Sequence, residues 1–170
     1  MEAPRERAPA MAKETEVKVI IGSDHAGFQL RQRLTEWMTK RGYEVENVGP
    51  STPEDVDYPL VARDVGQRMR GSADTRAVLI CGSGVGMSMA ANKIPGIRAV
   101  LAHDIYSAHQ GVEHDDANVI CLGGQVVGPW LAEDLVASFL SAKFEVREDF
   151  VRRVKQMGDL ERGAATQPQK

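Results

Sequence analysis

The strongest constraint on the fold of this chain is a regular alternation of short apolar runs with segments of helical periodicity. Runs such as AVLIC at 77–81 are apolar at every position, which is typical of strands that are buried on both faces. When helices separate such strands, the strands form a parallel sheet that is covered on both sides. The sequence therefore predicts an α/β protein with a three-layer α/β/α, Rossmann-like (flavodoxin-like) fold and a five-stranded parallel sheet.

The predicted elements occupy one continuous domain. Strands are predicted at 17–22, 43–48, 76–81, 97–101 and 118–122, and helices at 27–40, 58–70, 88–92, 105–112, 129–143 and 148–157. Residues 1–16 and 159–170 lack a hydrophobic period and carry too little apolar surface to offset their ordering entropy. We therefore expect a single domain over 17–158 between two disordered tails, which suits a length of 170 residues.

Composition and charge exclude several classes of protein. The formal net charge is −3, and the chain has no basic stripe that would displace counterions from nucleic acid. No apolar run reaches the roughly 20 residues that span a membrane, and the N-terminus lacks the apolar core of a secretory signal. Two cysteines make no disulfide framework. We therefore expect a cytoplasmic protein that binds neither nucleic acid nor membranes.

Polar or glycine-rich segments follow three of the predicted strands, at 22–25, 81–86 and 123–124. Ligands bind beyond the carboxyl ends of parallel strands, so these segments are candidates for a site. The second segment reads CGSGVG and leads into a helix; its glycines let backbone N–H groups approach an anion closely. A thiol beside a helix N-terminus ionises readily and can act as a base or nucleophile, which makes Cys81 a catalytic candidate. The alternative is that this segment is only a tight turn.

Other segments leave two interpretations open. Asp24 and His25 follow the first predicted strand and can bind sugar hydroxyls or a phosphate, although Asp24 can also cap the next helix. Tyr58 forms either a wall of the site or a part of the core. His114 suits proton transfer at neutral pH, whereas the acids after it can simply form a solvated loop.

The arginines near the last predicted helix, Arg147, Arg152 and Arg153, form either a solvated face or a phosphate contact. Cys121 lies inside a predicted strand, which indicates an inert core residue. We expect no metal site, because the His and Asp residues between 103 and 116 have no HExxH motif and no other close ligand spacing.

Four stretches of the chain carry a family pattern: GSDHAGF at 22–28, DYP at 57–59, ICGSGVGMSMAANKIPGIRA at 80–99 and HDDANVICLGG at 114–124. Together they resemble the type B ribose-5-phosphate isomerases, within the wider group that includes the galactose-6-phosphate isomerase subunits. The resemblance spans 17–158, and the third stretch is its most specific part. It implies an isomerase that interconverts ribose 5-phosphate and ribulose 5-phosphate, with no metal or nucleotide cofactor.

The resemblance also implies roles for individual residues. Cys81 would be the base that moves a proton between C1 and C2, Ser83 would assist transfer between the two oxygens, and His114 would open the furanose ring. The backbone N–H groups of 82–86 would hold the enediolate. The implied substrate-binding residues are Asp24, His25, Tyr58, Gly82, Gly84, Val85, Gly86, Asp115 and Arg153. In the family two subunits share the site and the His114 segment comes from the neighbour, so a homodimer or tetramer is implied.

Three positions depart from the family pattern. Gln125 stands where the family has Arg, Asp115 where it has Asn, and Asp149 where it has the first of two arginines, if Arg153 is the second. Losing two charge-assisted contacts and gaining two acids weakens the binding of a phosphate dianion. The sequence therefore leaves two alternatives: an isomerase of another phosphosugar or of an unphosphorylated sugar, and a non-catalytic sugar-phosphate-binding protein.

Overall fold

The structure is a computed structural model that describes residues 17–163. Its strands are β1 (Lys18–Ser23), β2 (Glu44–Val48), β3 (Thr75–Cys81), β4 (Ala99–Leu101) and β5 (Val119–Gly123). Its helices are α1 (Phe28–Lys40), α2 (Tyr58–Met69), α3 (Val85–Ala91), α4 (Ile105–Asp115), α5 (Pro129–Ser141) and α6 (Glu148–Glu161). Strands and helices alternate along the chain as far as α5, and α6 follows α5 directly.

All five strands are parallel and lie in the order β2-β1-β3-β5-β4. The register places Cys81, at the end of β3, opposite Gly123, at the end of β5. From β1 the chain moves outward to β2 and then returns to the other side of β1 with β3. The switch in strand order therefore lies between β1 and β3, where a ligand site is expected in an open α/β sheet.

Two hydrophobic cores cover the two faces of the sheet. On one face α1 and α5 contribute fully buried side chains such as Leu34 and Phe139. On the other face α2 and α3 contribute Val65 and Met87. Cys81 belongs to this second core, so its thiol lies on the side of the sheet that α2 and α3 cover.

The predicted three-layer α/β fold and five-stranded parallel sheet are confirmed. Relative to the flavodoxin-like strand order, the last two strands are exchanged, because β5 lies between β3 and β4. An apolar run identifies a buried strand but carries no information about its neighbours, which depend on how the crossover helices pack.

Two predicted helix boundaries near the candidate site need correction. α3 begins at Val85 rather than at 88, because Gly84 has a φ of 78° and ends the loop directly before the helix. α4 continues to Asp115 rather than ending at 112, so that His114 lies in the last turn of a helix and not in a loop.

The boundary of the predicted C-terminal tail also needs correction. Helix α6 continues through Glu161, so the tail does not begin at 159. Glu161 Oε1 accepts a hydrogen bond of 2.9 Å from the Gly96 backbone N–H, which fixes the end of this helix against the α3–β4 connection. The predicted N-terminal tail over 1–16 and the residues 164–170 lie outside the described residues.

The described helices are short: α1 and α5 have 13 residues each and α6 has 14. Crossing a bilayer takes roughly 20 apolar residues. Accordingly, none of the helices within 17–163 has the length and apolar character that a membrane span requires.

Candidate active site

The segments that follow β1, β3 and β5 meet at the carboxyl edge of the sheet. Glycines allow this close approach: a methyl group on Gly27, before α1, would lie 2.7 Å from Ile80 Cγ2, and one on Gly123 would lie 2.8 Å from the Ser83 carbonyl oxygen. Backbone hydrogen bonds also join the segments, since the Gly124 N–H donates to the Cys81 carbonyl oxygen over 2.8 Å. The structure thus confirms the expected placement of the three segments.

Residues 81–86, which we call the Cys81 loop, hold the thiol in one orientation. The Gly84 N–H donates a hydrogen bond of 3.2 Å to Cys81 Sγ. Gly84 needs its positive φ for this geometry, and a methyl group there would lie 2.6 Å from Leu101 Cδ1. The Cys81 side chain is 5% exposed, so little water competes for the hydrogen bond to Sγ.

The outer part of the Cys81 loop offers polar groups to a ligand. Ser83 is exposed, and its Oγ accepts a hydrogen bond of 3.3 Å from the Val85 N–H. The Gly86 N–H belongs to the first turn of α3, where helical amides have no intrahelical acceptor. The Tyr58 ring packs on Gly86, since a methyl group there would lie 2.8 Å from Tyr58 Cζ. Tyr58 is 39% exposed, which favours its interpretation as a wall of the site over a core residue.

Asp24 and His25 lie beside this loop at the end of β1. Asp24 is 6% exposed, and its Oδ1 accepts a hydrogen bond of 3.0 Å from the Gly27 N–H. It therefore does shape the entry to α1, one of the two interpretations that the sequence left open. The exposed His25 pairs through Nδ1 with Asp55 Oδ1 at 3.0 Å, which ties it to the β2–α2 loop.

The β2–α2 loop, which carries Asp55 and leads to Tyr58, is fixed at its start by Arg31. This arginine is 5% exposed and donates hydrogen bonds to the Val48 carbonyl oxygen, at 2.6 Å, and to the Pro50 carbonyl oxygen. Burial lowers the pKa of its guanidinium, since no carboxylate offsets the loss of water. Sequence reasoning missed this residue, because a single charge in an amphipathic helix has no distinctive pattern.

Gln125 lies over the base of the Cys81 loop. Its N–H donates to the Gly82 carbonyl oxygen over 2.9 Å, and a methyl group on Gly82 would lie 3.2 Å from Gln125 Oε1. His103 supports the same segment, because its Nε2 accepts a hydrogen bond of 3.0 Å from the Gly123 N–H. A neutral amide, rather than a guanidinium, thus stands beside Gly82 of the Cys81 loop.

The second thiol has a different environment. Cys121 is fully buried, and burial raises the pKa of its thiol far above the ordinary value, with a further increase from the nearby Cys81. Such a thiol stays protonated and inert, as the sequence predicts. Of the two cysteines, only Cys81 lies where it can meet a ligand.

His114 and Asp115 lie at the opposite, amino edge of the sheet, where α4 ends and β5 begins. The five residues of β5 separate this edge from the carboxyl edge by roughly 13 Å. Arg98 fixes the turn between α4 and β5, since its Nε donates to the Asp116 carbonyl oxygen and its Nη2 to Asp116 Oδ2, both at 2.6 Å. Within one chain, therefore, His114 does not meet Cys81.

The beginning of α6 packs against His114. We call His114, Arg147, Asp149, Phe150 and Arg153 the His114 cluster. Arg147 binds both oxygens of Asp149, over 2.5 and 2.9 Å, and Arg153 lies 3.2 Å from the same carboxylate. The hydrogen bond from Arg147 lowers the pKa of Asp149 well below its usual range, and the charge of Arg153 lowers it further. Arg153 was predicted to bind substrate, and the structure places it here, away from the Cys81 loop.

The structure thus divides the predicted residues into two sets. The carboxyl edge holds Asp24, His25, Tyr58, Cys81, Gly82, Ser83, Gly84, Val85 and Gly86, and the amino edge holds His114, Asp115 and Arg153. Within residues 17–163, no three His, Cys, Asp or Glu side chains come together as metal ligands.

The carboxyl edge combines three elements that a proton transfer next to a carbonyl requires. Cys81 carries a thiol that can act as a base, the N–H groups around Gly86 can stabilise an oxyanion, and Ser83 is a polar group that can pass a proton between oxygens. The His114 imidazole, to which the resemblance assigns ring opening, lies on the other side of the sheet, whereas His25 and His103 lie at the carboxyl edge.

Comparison with known proteins agrees with this chemistry. A sequence model of the family described as Ribose/Galactose Isomerase matches residues 19–157. Ribose-5-phosphate isomerase B of Escherichia coli is 41% identical over 128 residues, which cover 75% of this chain and 86% of that protein. D-erythrulose-4-phosphate isomerase 2 of Mycolicibacterium smegmatis is 44% identical over 133 residues, with 76% and 87% covered. The structure of Clostridium thermocellum ribose-5-phosphate isomerase B has a TM-score of 0.83 and 41% identity, and the match covers 86% of this chain and 99% of that one.

Proposed function

Because this chain belongs to the ribose/galactose isomerase family, we propose that it interconverts ribose 5-phosphate and ribulose 5-phosphate through an enediolate. The observation that carries this proposal is the position of Cys81 Sγ, which accepts the Gly84 N–H and lies at the carboxyl edge among the glycines of its loop. The two unpaired cysteines are compatible with a reducing, cytoplasmic setting.

In the proposed reaction Cys81 acts as the base. Its thiolate removes the proton from C2 of the open-chain aldose, while the C1 carbonyl oxygen becomes the enediolate oxygen, stabilised by N–H groups of the Cys81 loop. Ser83 passes the O2 proton to O1, and the Cys81 thiol returns its proton to C1. The carbonyl is then at C2 and the thiolate is regenerated, so the step needs no oxidant or reductant.

A second copy of the chain completes the proposed site. His114 and Cys81 lie on opposite edges of one sheet, roughly 13 Å apart or more. A ring-opening imidazole must reach the same sugar as the base, so His114 acts at the site of a neighbour. The proposed assembly is therefore a homodimer with two shared sites, or a tetramer built from such dimers. In this assembly Asp115 and the His114 cluster, which includes Arg153, face the neighbour's substrate.

A second candidate substrate is a four-carbon sugar phosphate. The 44% identical relative carries the name of a D-erythrulose-4-phosphate isomerase. In this chain the Gln125 side chain beside the Cys81 loop is neutral. The Asp149 carboxylate already pairs with both Arg147 and Arg153. Each charge-assisted contact that is lost costs on the order of 1.5–3 kcal/mol of affinity for a dianion. These residues favour a change of substrate within the same reaction.

A comparison of substrates tests the proposal. We would measure kcat/KM for ribose 5-phosphate, D-erythrulose 4-phosphate, allose 6-phosphate and free ribose, with the Cys81→Ala variant as the control for contaminating isomerase. The highest value for ribose 5-phosphate supports the proposal. A clear preference for another sugar changes the assigned substrate but keeps the assigned reaction. Sugar binding without turnover of any substrate would show a non-catalytic binding protein.

A further inference from the structure

Phe150 is the one residue of α6 that is buried in the described chain, and it lies between two functional side chains. It is 2% exposed. The His114 imidazole stacks on its ring, with 4.1 Å between ring centroids and 27° between planes. The Arg147 guanidinium lies over the ring as well, with Cζ 3.6 Å from the centroid. The phenyl ring is thus packed between a cation and an imidazole.

The contacts around this stack restrict its movement. The Glu145 N–H donates to the Glu113 carbonyl oxygen over 2.9 Å, which joins the segment before α6 to the residue before His114. Arg147 is held in turn by two hydrogen bonds to Asp149. The hydrogen bond between Glu145 and Glu113 therefore holds the start of α6, and with it Phe150, beside His114.

The stack covers one face of the imidazole and leaves part of that side chain open. The His114 side chain is 32% exposed, and its charged neighbour Glu113 lies 3.7 Å from Nε2. Proton transfer depends steeply on the direction of the transferring nitrogen, and an exposed imidazole on a flexible side chain has no such direction of its own.

We propose that Phe150 is the positioning residue of the ring-opening step: by stacking on His114, it aims the imidazole at the sugar bound by the neighbouring copy. This inference rests on the proposed function. Within that function, it gives α6 a role in ring opening rather than in proton transfer between carbons. Ribose 5-phosphate closes to a furanose through O4, so it must be opened before Cys81 can act.

Ring opening can be measured without isomerisation. In the Cys81→Ala background the carbon-bound proton is not removed, but an intact His114 still opens and closes the furanose. The readout is the enzyme-catalysed exchange between the two anomers of ribose 5-phosphate, followed by NMR exchange spectroscopy on the full chain. Replacing Phe150→Leu in this background should slow the catalysed exchange at least about tenfold, because proton transfer loses its geometry.

Two further variants separate positioning from stability. Phe150→Tyr keeps an aromatic face under the imidazole and should retain catalysed exchange within about threefold, since the stacking geometry is preserved. Phe139→Leu makes the same change at a buried core residue of α5, outside the His114 cluster, and should lower the Tm while leaving the exchange unchanged.

The outcomes distinguish this inference from the proposed function. Isomerisation of ribose 5-phosphate by the unmodified chain is measured in parallel, and its absence removes the proposed function. If isomerisation is present, the inference is overturned by equal exchange rates in the Phe150→Leu and Phe139→Leu variants. Equal losses in Phe150→Leu and Phe150→Tyr overturn it too, as does a Cys81→Ala enzyme that fails to accelerate anomer exchange.

Discussion

At the carboxyl edge the Cys81 loop is held by backbone contacts, whereas at the amino edge the His114 cluster is held by charged side chains. Cys81 is 5% exposed and its partner is a backbone N–H, and a methyl group on Gly84 or Gly123 would lie 2.8 Å from a neighbouring backbone atom. In contrast, the side chains of Arg147 and Arg153 are 52% and 56% exposed and share one carboxylate. Substitution of the glycines in the first region disturbs the fold, but substitution of the exposed arginines in the second changes mainly charge.

We expect this difference to separate the residues that determine the reaction from the residues that determine the substrate. A thiol and N–H groups that are held by buried backbone can stay the same while exposed side chains change around them. The four-carbon and five-carbon names among the relatives are compatible with such a division. We expect the carboxyl edge to carry the proton transfer between carbons and the amino edge to contribute to the choice of sugar.

The largest expected effect is at the carboxyl edge. Cys81→Ala should lower kcat by at least about a thousandfold, because the base is removed while the loop keeps its backbone contacts. Measuring kcat and the circular dichroism melt of the variant checks both statements. Cys121→Ala is the matched control, since it removes a buried thiol from the same core and should leave kcat intact. A near-normal kcat for Cys81→Ala would contradict its assignment as the base.

The next largest effect is expected at the amino edge, at His114, and its test combines variants of both edges. His114→Asn should lower kcat for ribose 5-phosphate by about a hundredfold, as removal of an acid–base group does. If the site is shared, mixing subunits of His114→Asn with those of Cys81→Ala creates dimers with one intact site. Random exchange should restore about a quarter of the unmodified activity in such a symmetric dimer. Activity that stays at the level of the separate variants would show that each site lies within one chain.

A smaller effect is expected from a new cation at the carboxyl edge. Gln125→Arg should lower the KM for ribose 5-phosphate by about tenfold, since a charge-assisted contact contributes about 1.5 kcal/mol. Gln67→Arg on α2 adds the same charge at an exposed position outside the site and should leave KM unchanged. An unchanged KM in Gln125→Arg would mean that another group, such as Arg147, already fills this role.

The smallest effect is expected at Asp149. Asp149→Asn frees Arg147 and Arg153 and should lower the KM for phosphorylated sugars by about threefold, as exposed charges are strongly screened. The pKa of Asp149 is lowered, so its carboxylate stays charged as the pH falls through the usual aspartate range, and the pair is lost only below it. KM profiles of the variant and the unmodified chain should therefore run parallel from about pH 7 to about pH 3.5, a range that includes the usual aspartate pKa of about 3.9. Convergence at the acidic end would contradict the lowered pKa.

The sequence was informative where function depends on local pattern. The apolar run before Cys81 and the glycines after it predict a strand, a loop and a helix, and the structure has all three. The residues that support the site from a distance were not predictable. Arg31 binds carbonyl groups 17 and more positions away, and Phe150 meets His114 only because α6 packs on α4. Such contacts follow from tertiary packing, which single-residue periodicity does not encode.

The length of β5 has a consequence for how this protein can change. Its five residues form a rigid spacer between the end that touches the Cys81 loop and the end that carries the α4–β5 turn. An insertion of one residue there would move the two ends apart by about 3.3 Å and reverse the faces of every side chain beyond it. Loops on this scaffold are free to vary in size, but β5 sets the distance between the two edges of the sheet. Its length must therefore stay constant for as long as both ends serve one reaction.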